Sequence, residues 1–115
     1  MMVDEWAAFD EQSCNIGRHH WNVAKLITKA ARLPVKEVPI DALCVAYSYK
    51  SLRLRDFVMH MRAVLSADLD YPIILDEDGE LMDGRHRLMR AIHEGRETIK
   101  AVRFEKNPPP DKIDE

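Results

Sequence analysis

Three glycines near the C-terminus divide the chain into short segments, and they constrain the fold more than any other feature. Gly79 ends the acidic run "DEDG", which is typical of a hairpin turn between the strands "YPIIL" and "ELM". Gly84 then interrupts the second strand. A helix is predicted from Arg85 to Glu94, with Gly95 at its C-cap. "TIKAVRF" alternates apolar and polar residues and is predicted as a final strand.

The preceding residues predict two more helices and one short strand. Apolar spacing indicates a helix over residues 17–33, which Pro34 ends. "KEVPI" is predicted as a short strand at a sheet edge, because proline lacks a ladder donor. Residues 41–50 leave loop and extended structure open. A helix is predicted from Ser51 to Ser66, with one apolar stripe facing inward: Leu54, Phe57, Val58, Met61, Val64 and Leu65.

These elements together predict an α+β domain, a small mixed sheet with helices packed against it. A length of 115 residues fits one domain. We expect an N-terminal arm at residues 1–15, the domain at residues 16–104, and a flexible, proline-rich and charged tail at residues 105–115.

The chain lacks the features of a secreted, membrane or metal-binding protein. Its N-terminus has no apolar signal segment, and no apolar run approaches the roughly 18 residues of a membrane span. We therefore expect a cytoplasmic location and no membrane partner. Cys14 and Cys44 show no metal-ligand spacing, so two free thiols are expected and no metal site is predicted.

Charge is distributed unevenly along the chain. The net charge of −3 argues against a general nucleic-acid-binding protein. Residues 64–83 contain seven acids and no Lys or Arg. Residues 84–104 contain six bases and two acids, a local charge of +4. A local basic site on an acidic protein suits a small anion better than a long polyanion.

The sequence "DGRHR", residues 83–87, has the properties of an anion site. The first amides of a helix have no intrahelical acceptor, and the helix dipole adds positive charge at that end. Gly84 allows close approach of the backbone to a phosphate, while Arg85 and Arg87 can donate bidentate hydrogen bonds. His86 can donate a hydrogen bond or transfer a proton. The alternative is an ordinary hairpin exit in which Asp83 pairs with one of the arginines.

The segment "YPIILDEDGELMDGRHRLMRAIHEGRETIKAV" resembles the ParB/sulfiredoxin superfamily. The pattern of that family is a Pro-Ile strand, an acidic glycine turn, a returning strand, and Gly-x-x-Arg at the start of a helix. The residues that match it are Pro72, Ile73, Gly79, Gly84 and Arg87. Upstream, "VPIDAL" and "LRDFVMHMRAVL" resemble the first strand and the preceding helix, so the resemblance covers roughly residues 35–104.

The resemblance implies a nucleotide whose phosphates contact Gly84, Arg85, His86 and Arg87, accompanied by Mg²⁺. It implies a further phosphate contact from the segment 50–55, for which Arg53 is the candidate. Sulfiredoxins have a cysteine after the motif glycine; Arg85 stands there, which argues against sulfinic-acid reduction. Partition-type ParB proteins have a glutamate at that position and a downstream helix-turn-helix domain. We expect a stand-alone ParB-like domain without that helix-turn-helix.

Whether the chain is an enzyme stays open at this level. Members of the superfamily include kinases and proteins described as nucleases, so nucleotide hydrolysis, phosphoryl transfer and nuclease activity are all alternatives. Glu80, Asp83 and Asp78 are the nearest candidates for a general base or a Mg²⁺ ligand, and His86 is a candidate for proton transfer. Acids in a turn are, however, commonly only turn residues. The alternative from another class is a non-catalytic DNA- or protein-binding regulatory module.

Overall fold

The computed structural model describes residues 13–43 and 53–114 of the chain. Within these residues it has three α-helices and two small sheets, which confirms the predicted α+β class. None of the helices in these two ranges is long and apolar enough to cross a membrane.

The described chain begins with a β-hairpin where the sequence predicts the start of a helix. β1 spans Ser13–Ile16 and pairs antiparallel with β2, His19–Asn22. The two strands are joined by a two-residue turn in which Gly17 has a φ of 60°. Helix α1 spans only Val23–Ala30, and the Asn22 side chain caps its first turn. The helix predicted from residue 17 is therefore wrong over residues 17–22, because the glycine allows a tight turn that favours strand pairing.

The following elements appear in the predicted order. They are β3 (Lys36–Pro39), a 3₁₀ turn (Ile40–Ala42), α2 (Leu54–Ser66), β4 (Ile73–Leu75), β5 (Leu81–Asp83), α3 (Arg85–His93) and β6 (Thr98–Arg103). The four strands form one mixed sheet in the order β3-β6-β4-β5. β4 and β6 are parallel, and the other two pairs are antiparallel.

Residues 105–114, within the predicted tail, contain one further short strand. β7, Lys112–Ile113, adds to the free edge of β2 and completes a three-stranded sheet. The Trp21 indole N–H donates a 2.8 Å hydrogen bond to the Pro108 carbonyl. The Asp111 carboxylate accepts a 2.8 Å bond from the last backbone amide of β2. An extended, proline-rich segment can follow a strand edge in this way, because it needs few internal hydrogen bonds.

The four-stranded sheet separates two hydrophobic clusters. Because side chains alternate along a strand, Ile74 of β4 faces one cluster while Ile73 and Leu75 face the other. The first cluster packs the sheet against Trp21 and α1. The second packs the sheet against the inner face of α3, which contributes Leu88 and Ala91. Helix α3 is thereby fixed against the sheet directly after β5.

The apolar stripe predicted on helix α2 faces away from the protein core. Within the described part of the chain, five of its six members are exposed: Leu54, Phe57, Val58, Met61 and Leu65. The partly buried side is formed instead by Met59, His60, Ala63 and Val64. Apolar spacing identifies one face of a helix but does not identify what that face packs against. The prediction of an inward stripe is therefore wrong for these five residues.

Candidate functional site

Gly84 is the residue that allows α3 to begin directly against the sheet. It has a φ of 105°, in the left-handed region that side chains rarely adopt. A Cβ at this position would lie 2.6 Å from Cγ2 of Ile73, a fully buried residue of β4. Only glycine therefore satisfies both the turn and the close contact between helix and strand.

The first turn of α3 is positively polarised. No side chain caps the helix at Gly84, and its first turn holds no acidic residue. Arg85, His86 and Arg87 occupy this turn and are partly buried. The amide N–H groups and the helix dipole point toward the same end. The predicted phosphate contacts at Gly84–Arg87 thus lie on one turn, at the edge of the sheet where β5 ends.

Arg87 also forms the ion pair that the sequence left as an alternative. Its guanidinium lies 2.8 Å from Oδ2 of Asp83, and both side chains are only 21% exposed. The carboxylate neutralises part of the positive charge of the first turn and orients Arg87. A ligand anion at this helix end would compete with Asp83 for the same guanidinium.

His86 contacts a second histidine from the neighbouring helix. Its Nε2 lies 2.9 Å from Nδ1 of His60 on α2, and the ring centroids are 5.2 Å apart. This contact joins the middle of α2 to the first turn of α3. His60 is not among the site residues predicted from the sequence, since a contact across 26 residues of sequence leaves no local signal.

The surroundings of His86 disfavour its charged form. Burial is the main cause that lowers the pKa of His86 from 6.5 to about 4, and the neighbouring Arg85, His60 and Arg87 contribute to the same shift. At neutral pH the ring is therefore uncharged, and it offers a neutral donor or acceptor to a ligand.

The three candidate acids of the hairpin have different surroundings. Asp78 and Glu80 are exposed in the turn, whereas Asp83 is paired with Arg87. In residues 13–43 and 53–114, no three His, Cys, Asp or Glu side chains gather into a group that could hold a metal ion. Mg²⁺ in nucleotide sites is commonly held by one or two carboxylates and the phosphates themselves, so no protein ligand is assigned to it.

Asp76 is the acid of this hairpin that sequence reasoning did not single out. It is 2% exposed, and its Oδ1 accepts 2.8 Å hydrogen bonds from the backbone amides of Asp78 and Glu80. These bonds build the turn that sets the register of β4 and β5. The "DEDG" pattern contains the signal, since Asp commonly bonds the backbone two residues ahead.

Arg53, the second predicted phosphate contact, lies at the N-cap of α2 and is exposed. Helices α2 and α3 run in the same direction, because His60 faces His86 while Arg90 donates to the carbonyls of Leu65 and Ala67. Arg53 precedes His60 by seven residues, or about 10 Å of helix. The N-terminal half of α2 therefore projects beyond the start of α3.

The chain was compared with protein-family models, with curated proteins and with solved structures, and nothing matches it. The ParB/sulfiredoxin resemblance therefore stays a hypothesis that rests on the motif residues.

The other basic residues of the segment 84–104 are engaged elsewhere. Arg90 and Arg96 both pair with Glu94, and Lys100 lies 3.7 Å from Asp70. Arg103 donates to the Glu77 carbonyl. A cavity of about 490 Å³ lies at this other end of α3, but its charged walls are formed largely by these pairs. The local excess of bases is therefore not one continuous positive surface.

Cys14 does not provide a nucleophile near the site. Burial raises the pKa of its thiol to about 12, and the carboxylates of Asp76, Asp83 and Glu80 act in the same direction. Such a thiol is protonated at neutral pH and unreactive. Cys44 lies outside the described residues.

Proposed function

We propose that the protein binds a nucleotide or another phosphate-bearing ligand at the first turn of α3, with Gly84–Arg87 as its phosphate contacts. The observation that carries the proposal is the junction of β5 and α3. There a left-handed glycine starts a helix with no capping side chain, no acid and two arginines in its first turn. An anion at such a helix end is stabilised by free amides, by the helix dipole and by guanidinium groups together.

The distribution of ion pairs favours a compact ligand over a nucleic acid. A long polyanion requires several basic side chains along one surface. Arg90, Arg96 and Lys100, by contrast, are paired with acids of the same chain. The net charge of −3 also disfavours binding of a nucleic acid.

The resemblance to the ParB/sulfiredoxin superfamily supports a nucleotide within this class of ligands. It also supports turnover by nucleotide hydrolysis or phosphoryl transfer, with Mg²⁺ bound to the phosphates of the nucleotide. We further propose that the protein acts in the cytoplasm. Asp83 is the carboxylate closest in sequence to the proposed phosphate site, yet it is already engaged in an ion pair with Arg87. Binding is therefore the core of the proposal, and catalysis is an extension that requires its own test.

Replacing Arg85 with glutamine is expected to weaken nucleotide binding at least tenfold. Charge-assisted hydrogen bonds between arginine and phosphate contribute about 1.5–3 kcal/mol, and glutamine removes the charge while keeping a similar length. Isothermal calorimetry with CTP, ATP and ADP, each with Mg²⁺, measures the affinity and the preferred base. Phosphate release over several hours, measured on the same samples, tests turnover.

Arg96→Gln is the matched control, because it removes an exposed arginine at the opposite end of the segment. It should leave the affinity unchanged. No heat with any nucleotide in a folded protein would refute nucleotide binding. If a labelled DNA duplex instead binds with an affinity that falls steeply between 50 and 200 mM salt, the DNA-binding alternative replaces the proposal.

A further inference from the structure

The contact between His60 and His86 joins two helices through one ring nitrogen of each histidine. The 2.9 Å separation of Nδ1 and Nε2 is that of an N–H···N hydrogen bond, in which one ring donates and the other accepts. The ring centroids lie 5.2 Å apart, so the two nitrogens point almost directly at each other. This geometry places a shared proton between the rings; a common metal ion would need ring nitrogens that converge on a third point.

The pair lies among positive groups. Arg85 and Arg87 flank His86 on α3, and Asp83 at the end of β5 offsets Arg87 through their ion pair. The strands beneath α3 contribute apolar side chains to this core, among them Ile73 and Ile99. An additional positive charge on the pair therefore meets repulsion from two arginines and is only partly compensated by solvent.

The two protonation steps of the pair have different consequences. The first added proton goes to the outer nitrogen of the donor ring and leaves the bond intact. The second proton must go to the nitrogen that accepts the bond, and it converts that nitrogen into a donor. The two nitrogens then repel each other, and two imidazolium rings face the arginines.

We propose that the His60–His86 pair is a proton-operated latch, in which the second proton releases the N-terminal half of α2 from the first turn of α3. Helix α2 is suited to such a movement, because none of its residues is fully buried. Its C-terminal end remains attached, because Arg90 donates to the carbonyls of Leu65 and Ala67 and stays charged at every relevant pH. Helix α2 thus pivots about Ala67 and uncovers His86, whether or not a ligand binds at the first turn of α3.

The direction of the pH effect, and the pH range in which it occurs, follow from the pKa of His86 in the closed state. Burial and the surrounding cations hold the pKa of His86 at about 4, below the ordinary value of 6.5, so the open state binds protons more readily. The closed state is fully favoured above pH 6.5 and loses stability as the pH falls toward 4. Between pH 7 and pH 5 the opening equilibrium of α2 is expected to rise about tenfold, less than the full shift allows because the ring is partly exposed.

Hydrogen exchange with mass spectrometry, corrected for the intrinsic pH dependence of exchange, measures this opening. Peptides from residues 54–61 should lose protection about tenfold between pH 7 and pH 5, while those covering β4 and β6 keep theirs. The double variant His60→Gln/His86→Gln should show no such loss, because glutamine donates and accepts but does not titrate. His93→Gln removes an exposed histidine from the other end of α3 and should behave as the wild type.

Three outcomes would overturn the latch. The wild-type protein can keep α2 protected down to pH 4, the double variant can lose protection as the wild type does, or β4 and β6 can open together with α2. If the double variant fails to fold, NMR titration of the wild-type imidazole nitrogens decides instead. The latch requires the second of the two protonations and the loss of α2 protection to share one midpoint; separate midpoints refute it.

Discussion

Replacing Gly84 with alanine is expected to lower the free energy of unfolding by about 4 kcal/mol. A side chain at a φ of 105° costs about 1–3 kcal/mol in backbone strain. The new Cβ would also lie 2.6 Å from Cγ2 of Ile73, and overpacking of this kind costs about 1–3 kcal/mol more. Urea denaturation followed by circular dichroism measures the change. Against a total stability of about 5–15 kcal/mol, a loss of this size is easily measured.

Comparison with Gly95→Ala separates the cost of backbone strain from the cost of overpacking. Gly95 has a φ of 75°, but nothing lies within 4 Å of an added Cβ. Its replacement is expected to cost only about 1 kcal/mol. Equal losses for the two variants would contradict the close contact between α3 and β4, and with it the position of the helix end that forms the site.

Replacing Arg87 with alanine is expected to abolish detectable phosphate binding and to lower stability by about 1–3 kcal/mol. The variant removes a guanidinium from the first turn of α3 and leaves the partly buried Asp83 carboxylate without its partner. Calorimetry with the nucleotide preferred by the wild type measures the first effect, and urea denaturation measures the second.

Asp83→Asn gives the informative counterpart, because it frees Arg87 from its ion pair. If Asp83 competes with the ligand for this guanidinium, the asparagine variant should bind phosphate several-fold more tightly, since one negative charge has left the site. If Asp83 instead holds Mg²⁺, binding in the presence of Mg²⁺ should weaken. If Asp83 is a general base, the asparagine variant should bind the nucleotide as the wild type does but lose turnover.

Local signals account for the parts of the fold that the sequence predicts well. The β4–β5 turn, the start of α3 and its end each depend on a glycine whose φ is positive in the structure: Gly79, Gly84 and Gly95. Turn and capping chemistry acts over four or five residues, so a pattern in the sequence is sufficient. The strands and helix between these glycines follow with nearly correct ends.

Contacts between distant residues account for the parts that were missed. β2 is stabilised as a strand by β1 on one side and by β7, about 90 residues later, on the other. The apolar spacing around Trp21 therefore predicted a helix where the structure has the strand β2. The proline content of the tail did not indicate that β7 pairs with β2. In the same way, the pattern of α2 identified an apolar face but not the residues that contact α3.

The candidate site also combines local features that the sequence predicts with contacts between distant residues that it does not. The helix start at Gly84–Arg87 was predictable from the glycine and the residues that follow it, and the anion site proposed there stays a prediction. The choice of Arg87 over Arg85 as the partner of Asp83 depends on packing at the helix start. The His60–His86 contact depends on how two helices meet, and the sequence contains no periodicity that reports it.

The central claim is that the first turn of α3 is an anion site, and an NMR titration of ¹⁵N-labelled protein with inorganic phosphate tests it most directly. Sodium chloride keeps the ionic strength constant, so that screening does not change during the titration. We expect saturable shifts that are largest at the backbone amides of Arg85, His86 and Arg87 and that are lost in Arg87→Ala. Shifts that are absent there, or that follow exposed bases such as Arg96 and Lys100 without saturating, would contradict the claim.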